Sequence, residues 1–500
     1  MKPAARRASS RSASEVQAAI ERFLKASPKP ALLEPGEELL QLHRDNFVLD
    51  SRNARLTIQA WDERRNLVRR IIDIRHESRG RLELVAERFA RKPGPLFLID
   101  LARPAAQDWE RRSTRLVFRE QFRQFLSREF PGWKITELSA EQDLEHSLSP
   151  AFPRALLRKG AIGLAAVAAP PDVVDPSGIL SFGLIWLDYL RKRERRMAIE
   201  GLMLFLPLGK ERTTCLRVAH LNTSVARFEV FAYSEEGYTA RLDLRDSGNL
   251  DTTLEVRRTP AAFHQETFTR LEALGAERVE LNNGEASLRV RGVEFAHTSG
   301  NEILFGLTDR VALRHQNLAE LEQLARELAR MRSPHRPARS DLYLRNPEAW
   351  LESQVRANIE TIDATLLRYP IYGQVPAFAG GERGVLDLLA TDRSGRLTIL
   401  ELKASSDIHL PVQALDYWMR VNWHIGRREF APHGYFPGVA LQDTPPRLLL
   451  IGPSLEFHPT TESILGFFSP AIEVERIGLA LDWRRSMQVM FRLRGAERSR

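Results

Sequence analysis

The sequence predicts a multidomain chain of the mixed α/β class. Its 500 residues are enough for three or four domains. Hydrophobic residues make up 43% of the chain and charged residues 28%, the balance of an ordinary globular protein. Runs with strand-like alternation are interspersed with segments of helical periodicity along the whole length. These observations together predict folded modules of both β-rich and α/β type.

Changes of pattern along the chain divide it into six predicted segments. The clearest break is the proline-rich stretch Ser333–Ser340, which has the composition of a linker. Alternation predicts strands in the segment before it, including one at Cys215–Leu221. The segments are a basic flexible tail with a short helix at 1–30, a small β-rich module at 31–105, an α/β module at 106–210, a β-rich module ending in an amphipathic helix at 211–332, a linker at 333–344 and an α/β domain at 345–500.

The cysteine content and the hydropathy pattern bear on location. Cys215 is the only cysteine, so no internal disulfide can form, and this predicts a reducing cytoplasm. No apolar run reaches the roughly 18 residues of a membrane span, so we expect no membrane partner. The first 14 residues are basic and lack an apolar core, which is unlike a secretory signal.

The formal charge of +8 is unevenly distributed. Residues 340–500 hold 18 basic and 19 acidic residues, so the positive surplus lies upstream of them. If the ligand is a nucleic acid, the earlier segments would supply much of the affinity for its phosphates. The alternative is that the arginines of these segments only form solvated surfaces.

The most informative stretch lies at 384–403. Two apolar runs flank the turn-forming residues at 392–395, which predicts two β-strands joined by a tight turn. Glu401 and Lys403 fall on the same face of the second strand, after two apolar positions. Asp387 on the partner strand could add a second carboxylate. Two carboxylates can bind a cation such as Mg²⁺, and a neighbouring lysine can stabilise charge that grows on a phosphate.

Helices are predicted on both sides of this hairpin. Downstream, Gln413 and Tyr417 are four residues apart and so share one helix face. Upstream, a helix that begins near Trp350 carries Glu352. The predicted order is therefore a helix with Glu, a strand, a strand with Asp, a strand with Glu-x-Lys and a helix with Gln-x-x-x-Tyr.

This order resembles the PD-(D/E)XK nuclease superfamily. The stretch at 384–403 is most similar to the C-terminal catalytic domain of NucS-type endonucleases, whose core contains D-L-L-x-x-D-x-x-G followed by E-L-K. The resemblance covers about residues 345–455. It implies a restriction-endonuclease-like α/β/α domain at 345–500 and a metal-dependent endonuclease that hydrolyses phosphodiester bonds of DNA. One departure is that Leu386, rather than proline, precedes Asp387.

The resemblance also implies roles for single residues. Asp387 and Glu401 match the carboxylates that bind Mg²⁺ or Mn²⁺, and Lys403 matches the catalytic lysine. Gln413 matches a glutamine that positions the substrate or the attacking water. Tyr417, one turn further on, is a candidate contact to nucleic acid.

The first helix supplies the last member of the implied catalytic set. Glu352 matches the family's acidic residue there, and Glu348, one turn earlier, is an alternative for that position. Such nucleases often pair across a two-fold axis to cut both strands, so a homodimer is a further expectation. Two other functions stay open, because a fold alone does not establish activity. One is a non-catalytic nucleic-acid-binding or scaffold protein, and the other is hydrolysis of another phosphodiester such as RNA.

The module at 106–210 repeats the predicted order of helix, strands, helix and strand. The tripeptide Leu-Asp-Tyr at 187–189 recurs at 415–417. Aligning 166–168 with 401–403 puts alanines at the positions of Glu401 and Lys403. This module is therefore either a degenerate nuclease-like unit or an unrelated α/β layer.

Overall fold

The computed structural model describes residues 12–34, 40–52, 55–61, 66–78, 80–87, 93–102, 104–234, 236–246, 248, 250–258, 264–335, 341–379 and 382–497. Over these ranges the chain forms eleven α-helices and 24 strands, which pair into four sheets. None of the described helices combines the length and the apolar character that crossing a membrane requires.

The first sheet is antiparallel and is covered by helix α1 (Ala13–Ala26). Ser12 and Glu15 form a capping box that fixes the start of this helix. Val16, Ala19 and Ile20 of α1 are buried in a core with the sheet. The seven strands, in spatial order β2-β1-β7-β6-β5-β4-β3, are β1 (Pro30–Leu33), β2 (Leu40–Gln41), β3 (Phe47–Arg52), β4 (Arg55–Trp61), β5 (Asn66–Ser78), β6 (Arg81–Glu87) and β7 (Gly94–Asp100).

The second sheet and its helices form what we call the first α/β unit, residues 104–241. Its six strands lie in the order of the sequence, β8 to β13. Neighbours among β8, β9 and β10 pair antiparallel, and neighbours among β10, β11 and β12 pair parallel. The last strand, β13, pairs antiparallel with β12. The elements are α2 (Pro104–Glu129), β8 (Lys134–Ser139), β9 (Arg154–Lys159), β10 (Ile162–Ala168), α3 (Ile179–Arg193), β11 (Ala198–Pro207), α4 (Arg212–Val218), β12 (Arg227–Tyr233) and β13 (Thr239–Arg241).

Two features of this unit differ from the sequence-based expectation. The strand predicted at Cys215–Leu221 is wrong, because most of that stretch belongs to helix α4. Thr214, Cys215, Arg217 and Val218 are buried, and this spacing suits a short helix as well as a strand. The sheet also continues past residue 210, because β12 pairs with β11.

The third sheet is antiparallel and carries a helix at each end of its sequence. Leu321, Ala325 and Leu328 of α6 are buried against it, which confirms the predicted amphipathic helix. The elements are α5 (Gln265–Ala273), β14 (Glu277–Glu280), β15 (Ala286–Val290), β16 (Val293–Ser299), β17 (Glu302–Phe305), β18 (Val311–Ala312) and α6 (Leu318–Met331).

The fourth sheet and its helices form the second α/β unit, residues 341–494. The elements are α7 (Asp341–Leu344), α8 (Pro347–Ala357), α9 (Ile359–Ile362), β19 (Tyr372–Ala379), β20 (Glu382–Thr391), β21 (Leu397–Leu402), α10 (Leu410–Gly426), β22 (Arg447–Pro453), α11 (Thr461–Leu465), β23 (Val474–Leu479) and β24 (Val489–Arg494). Helix α7 occupies the end of the predicted linker, of which residues 336–340 lie outside the described ranges.

The second α/β unit repeats the strand order of the first. Its six strands again follow the sequence, β19 to β24. The first three are antiparallel, β21, β22 and β23 are parallel, and β24 is antiparallel. In each unit one long helix follows the third strand and one short helix follows the fourth strand. The two units therefore share one topology.

The central strands of the second α/β unit are buried on both faces, and this places the candidate site. Leu397 and Ile399 belong to the core that contains α10, whereas Leu400 and Leu402 pack in the core that contains α8. Every residue of β21 is buried. Because side chains alternate along a strand, Glu401 must point toward the α10 side of the sheet.

Candidate active site

Asp387 and Glu401 face each other on neighbouring antiparallel strands. Leu388 of β20 pairs with Leu400 of β21, so one further step of the register sets Asp387 opposite Glu401. Oδ2 of Asp387 accepts a hydrogen bond of 2.8 Å from the backbone N–H of Leu402. The hairpin predicted from the sequence thus forms and brings the two carboxylates together.

Glu401 is buried and Asp387 is half-buried, and one hydrogen bond from a backbone N–H is the compensation described above. Glu401 is only 3% exposed, and its Oε2 has no hydrogen-bond partner among the residues that the structure describes. Burial and then the nearby charge of Asp387 raise the pKa of Glu401 well above its usual value. Burial likewise raises the pKa of Asp387 to about 7, although the Leu402 N–H opposes the shift. Two anions held this way strongly favour a bound proton or a cation.

Lys403 lies just beyond the end of β21. Its backbone N–H donates to the carbonyl of Ile451 at 3.0 Å, which continues the pairing with β22. Its Nζ lies 3.8 Å from Oε1 of Glu348 and 3.6 Å from Oδ2 of Asp407. Burial alone would lower the pKa of Lys403, but the surrounding carboxylates, Glu348 and Glu401 first, outweigh it and raise the pKa. The ammonium group of Lys403 is therefore kept charged by the carboxylates around it, next to the Asp387–Glu401 pair.

Helix α10 covers the sheet beside these residues. Gln413 and Tyr417 are both partly exposed and are one turn apart on this helix, as predicted. Burial, followed by the charges of Glu401 and Asp387, raises the pKa of the Tyr417 hydroxyl. Tyr417 packs on the core between α10 and the sheet face toward which Glu401 points.

Glu352 lies on α8, and its carboxylate is held by an arginine. Its Oε1 accepts a hydrogen bond of 2.6 Å from Arg356, which also donates to the carbonyl of Ile371 at 2.8 Å. Gly373 leaves room for this pair, since a Cβ there would be 2.7 Å from Oε1. The charge of Glu352 still contributes to the raised pKa of Asp387.

The carboxylate pair fits a hard divalent cation such as Mg²⁺ or Mn²⁺. Asp387 and Glu401 offer oxygen ligands from adjacent strands, and one oxygen of Glu401 lacks any hydrogen bond. In the part of the chain that the structure describes, no group of three or more His, Cys, Asp or Glu side chains is arranged to hold a metal. Magnesium needs only one or two protein carboxylates when waters and substrate phosphates complete its ligand set.

Sequence reasoning did not identify two charged groups of the site. Arg356 holds Glu352, and Asp407 lies near the ammonium group of Lys403. Arg356 was detectable, because positions four apart on a helix are neighbours. Asp407 lies in an irregular segment before α10, where no periodic pattern points to its position.

The first α/β unit has different residues at the corresponding positions. The N–H of Ala169 bonds to the carbonyl of Phe205 beyond the end of β10, as the N–H of Lys403 bonds to Ile451 beyond β21. The expected alignment is thus off by one residue, and Ala169 rather than Ala168 corresponds to Lys403.

The same register identifies the counterparts of the two carboxylates. Val167 corresponds to Glu401, and its partner on β9, Arg154, corresponds to Asp387. Arg154 is buried and donates to the carbonyl of Glu141 at 2.8 Å. These positions of the first unit therefore hold a cation and two apolar side chains, a set that cannot bind a metal cation.

No protein-family model matches the chain, and no curated protein matches it. The chemistry of the site is therefore inferred from the facing carboxylates, the lysine at the strand end and the helix that covers them. All of these features lie within residues 387–426.

Proposed function

We propose that the chain is a metal-dependent nuclease that hydrolyses phosphodiester bonds of DNA. The observation that carries the proposal is the facing carboxylates of buried Glu401 and half-buried Asp387, with Lys403 two residues after Glu401 on the same face. A buried anionic pair destabilises a protein unless a ligand compensates it, and such strain is typical of functional sites. The order of helix, three antiparallel strands and helix around the site agrees with the PD-(D/E)XK resemblance.

Asp387 and Glu401 are the residues that would hold Mg²⁺ or Mn²⁺. When bound, such an ion would lower the pKa of a water molecule and would place a positive charge next to the scissile phosphate. In the reaction a water oxygen forms a new bond to phosphorus and the bond to the leaving sugar oxygen breaks. The leaving oxygen takes up a proton, so that the products are a phosphate monoester and a hydroxyl.

The other residues of the site bind and orient. Lys403 donates hydrogen bonds to the attacking water or to a phosphate oxygen, where negative charge grows in the transition state. Gln413 has an amide that can position either group. Glu352 acts behind the carboxylate pair, since its bond to Arg356 already satisfies one of its oxygens. Tyr417, one turn after Gln413 on α10 and partly exposed, contacts the nucleic acid.

A cation-lined cleft next to α10 supports nucleic acid as the substrate. Its volume is about 300 Å³, and it is lined by Lys210, Arg212, Arg217 and Arg420 as well as by three aspartates. The guanidinium carbon of Arg420 lies 5.9 Å from the ring centre of Tyr417, so the cleft borders the helix that covers the site. Arg217 is already paired with Asp416, and the other three cations exceed the other two aspartates by one, so the cleft has a small positive charge that would attract the phosphates of a bound strand.

The buried free thiol of Cys215 suits the reducing cytoplasm that we propose as the location of the protein. A second candidate function is nucleic-acid binding without cleavage. It is favoured by the Arg356 contact, which leaves two rather than three carboxylates available to a metal.

Cleavage assays on a panel of substrates separate these functions. The panel contains single-stranded, duplex, mismatched and branched DNA and also RNA, each with Mg²⁺ or Mn²⁺. Wild-type protein is compared with Glu401→Gln and Lys403→Met, which retain size but remove charge. Glu473→Gln, a half-exposed carboxylate of the same unit, is the matched control.

Cutting by the wild type and the control alone would support the proposal. Equal cutting by all four proteins would reveal a contaminant or another site. If no substrate is cut but DNA is retained equally by all proteins, the binding function takes its place. Cleavage of RNA alone would change the substrate class and keep the chemistry.

A further inference from the structure

The two α/β units pack on each other through reciprocal contacts. Asp416 on α10 of the second unit forms an ion pair of 2.6 Å with Arg217 on α4 of the first unit. In the opposite sense, Asp188 on α3 of the first unit accepts a hydrogen bond of 2.5 Å from Ser463 on α11 of the second. The long helix of each unit thus contacts the short helix of the other, through the aspartate of the shared Leu-Asp-Tyr tripeptide.

The segments that follow the two short helices also meet. Leu221 lies three residues after the end of α4, Phe468 lies three residues after the end of α11, and these two residues form an antiparallel bridge. The N–H of Asn222 donates to the carbonyl of Phe467 at 2.8 Å, and the N–H of Ser469 donates to the carbonyl of His220 at 3.0 Å. Corresponding residues pair with each other, as they do on a two-fold axis.

One continuous core joins the units across this contact. The largest apolar cluster of the described chain includes side chains of both long helices and both short helices. Its members include Leu180, Leu184 and Leu187 of α3, Leu410, Leu415 and Trp418 of α10, Cys215 and Val218 of α4, and Ile464 and Leu465 of α11. An interface with a largely apolar centre and reciprocal polar contacts has the character of a permanent two-fold dimer.

From this we infer that the first α/β unit is a built-in partner subunit that takes the place of a second catalytic copy. The chain then has one carboxylate centre for two units of the same topology, because Arg154, Val167 and Ala169 replace the acidic pair and the lysine in the first unit. Resting on the proposed function, this predicts a monomer that cuts one DNA strand per encounter. It also replaces the expected homodimer, because the surface of α10 and α11 that a second copy would need is already covered.

Plasmid cleavage tests the single-strand prediction with the full chain. Supercoiled plasmid is incubated with protein and Mn²⁺, and the nicked and linear forms are followed over time. We expect nearly all supercoiled DNA to pass through the nicked form before linear DNA forms. Linear DNA as the first product would overturn the inference and leave the proposed function intact. If no DNA of any kind is cut, the proposed function fails, and the measurements that follow decide the inference alone.

Mass and coupling measurements do not depend on cleavage. Light scattering should give 57.0 kDa, the mass of one chain, at all protein concentrations. Arg217→Ala and Asp416→Ala should each lower the unfolding midpoint, and the double variant should lower it by less than the sum of the two. The control pair is Arg428 and Asp443, an exposed ion pair within the second unit, where we expect almost no change.

A stable dimer in solution would overturn the inference. So would strict additivity of Arg217→Ala and Asp416→Ala, because the two units would then unfold without using this contact. A coupled pair in a 57.0 kDa monomer would support it even if the substrate were not DNA.

Discussion

The two α/β units have the same strand order and sense of pairing, and yet only one of them has a pair of carboxylates at the end of its central strands. In the second unit Glu401 faces Asp387, and Lys403 follows. In the first unit the corresponding positions hold Val167, Arg154 and Ala169. This difference shows that apolar packing stabilises the shared topology. The carboxylate pair, in contrast, lowers the stability of the folded state.

The largest expected effect follows from substitutions in the candidate site of the second unit. Lys403→Met and Glu401→Gln should each lower the cleavage rate by about 10²–10³-fold, since in the proposed mechanism each removes a charged group that acts on the reacting phosphate or its metal. Glu401→Gln should at the same time leave the thermal midpoint of the metal-free protein unchanged or raise it, because a buried charge is lost. Activity assays and differential scanning calorimetry measure the two effects.

The corresponding positions of the first unit serve as controls for that experiment. Val167→Thr and Ala169→Ser should leave the cleavage rate unchanged, because neither position holds a carboxylate or an ammonium group that could act on a metal or a phosphate. A rate loss in these variants comparable to that of Lys403→Met would show that the first unit takes part in the chemistry.

We expect a smaller effect, equal in the two units, when a buried leucine of a central strand is truncated. Leu450 pairs with Glu401 on the neighbouring strand, and Leu204 pairs with Val167 in the same way. Both leucines are fully buried, so Leu450→Ala and Leu204→Ala should each cost about 3 kcal/mol of unfolding free energy. Denaturant unfolding measures both. A much smaller loss for Leu204→Ala would contradict the equivalence of the two central strands.

Metal binding should distinguish the units as well. Mn²⁺ should raise the unfolding midpoint of the wild type, because a ligand that binds only the folded state stabilises it. The shift should vanish in Asp387→Asn and remain in Asp188→Asn, which alters the unit interface but not the carboxylate pair. A shift that survives Asp387→Asn would place the metal elsewhere.

The smallest expected effect concerns acid stability. Burial alone would raise the pKa of Asp363, but hydrogen bonds from Thr365 and the 2.7 Å ion pair with Arg447 outweigh it and lower the pKa. A carboxyl with a lowered pKa in the folded state stabilises the protein above its unfolded pKa, and this stability is lost as the pH falls through the folded value. Unfolding free energies of wild type and Asp363→Asn should therefore converge below about pH 4.

The matched control is a carboxylate of the first unit. Glu229 on β12 occupies the position that corresponds to Glu475 on β23. The two arginines that pair with Glu229 are more than half exposed. Because exposed pairs contribute little, Glu229→Gln should change the unfolding free energy by less than about 1 kcal/mol at any pH. A larger loss for Glu229→Gln than for Asp363→Asn at neutral pH would reverse the expected order of the two units.

The sequence by itself determined the local elements of the second α/β unit and the positions of its candidate site residues. Turn residues at 392–395 and apolar alternation predict the hairpin, and the four-residue spacing of Gln413 and Tyr417 predicts a shared helix face. These signals are local, since backbone preference and side-chain period depend on near neighbours. The strand interpretation of Cys215–Leu221 failed because a short apolar pattern fits either state.

Only the tertiary structure decided how distant segments meet. It set the register that aligns Val167 with Glu401, the capture of Glu352 by Arg356 and the reciprocal packing of the two units. Strand register depends on pairing between residues far apart in sequence. Periodicity predicts which face of a helix is apolar, but it does not predict which other helix that face contacts. Burial that shifts the pKa of Asp387 to about 7 arises from the same long-range packing. Such properties belong to the assembled fold, because desolvation exists only once the surrounding segments are in place.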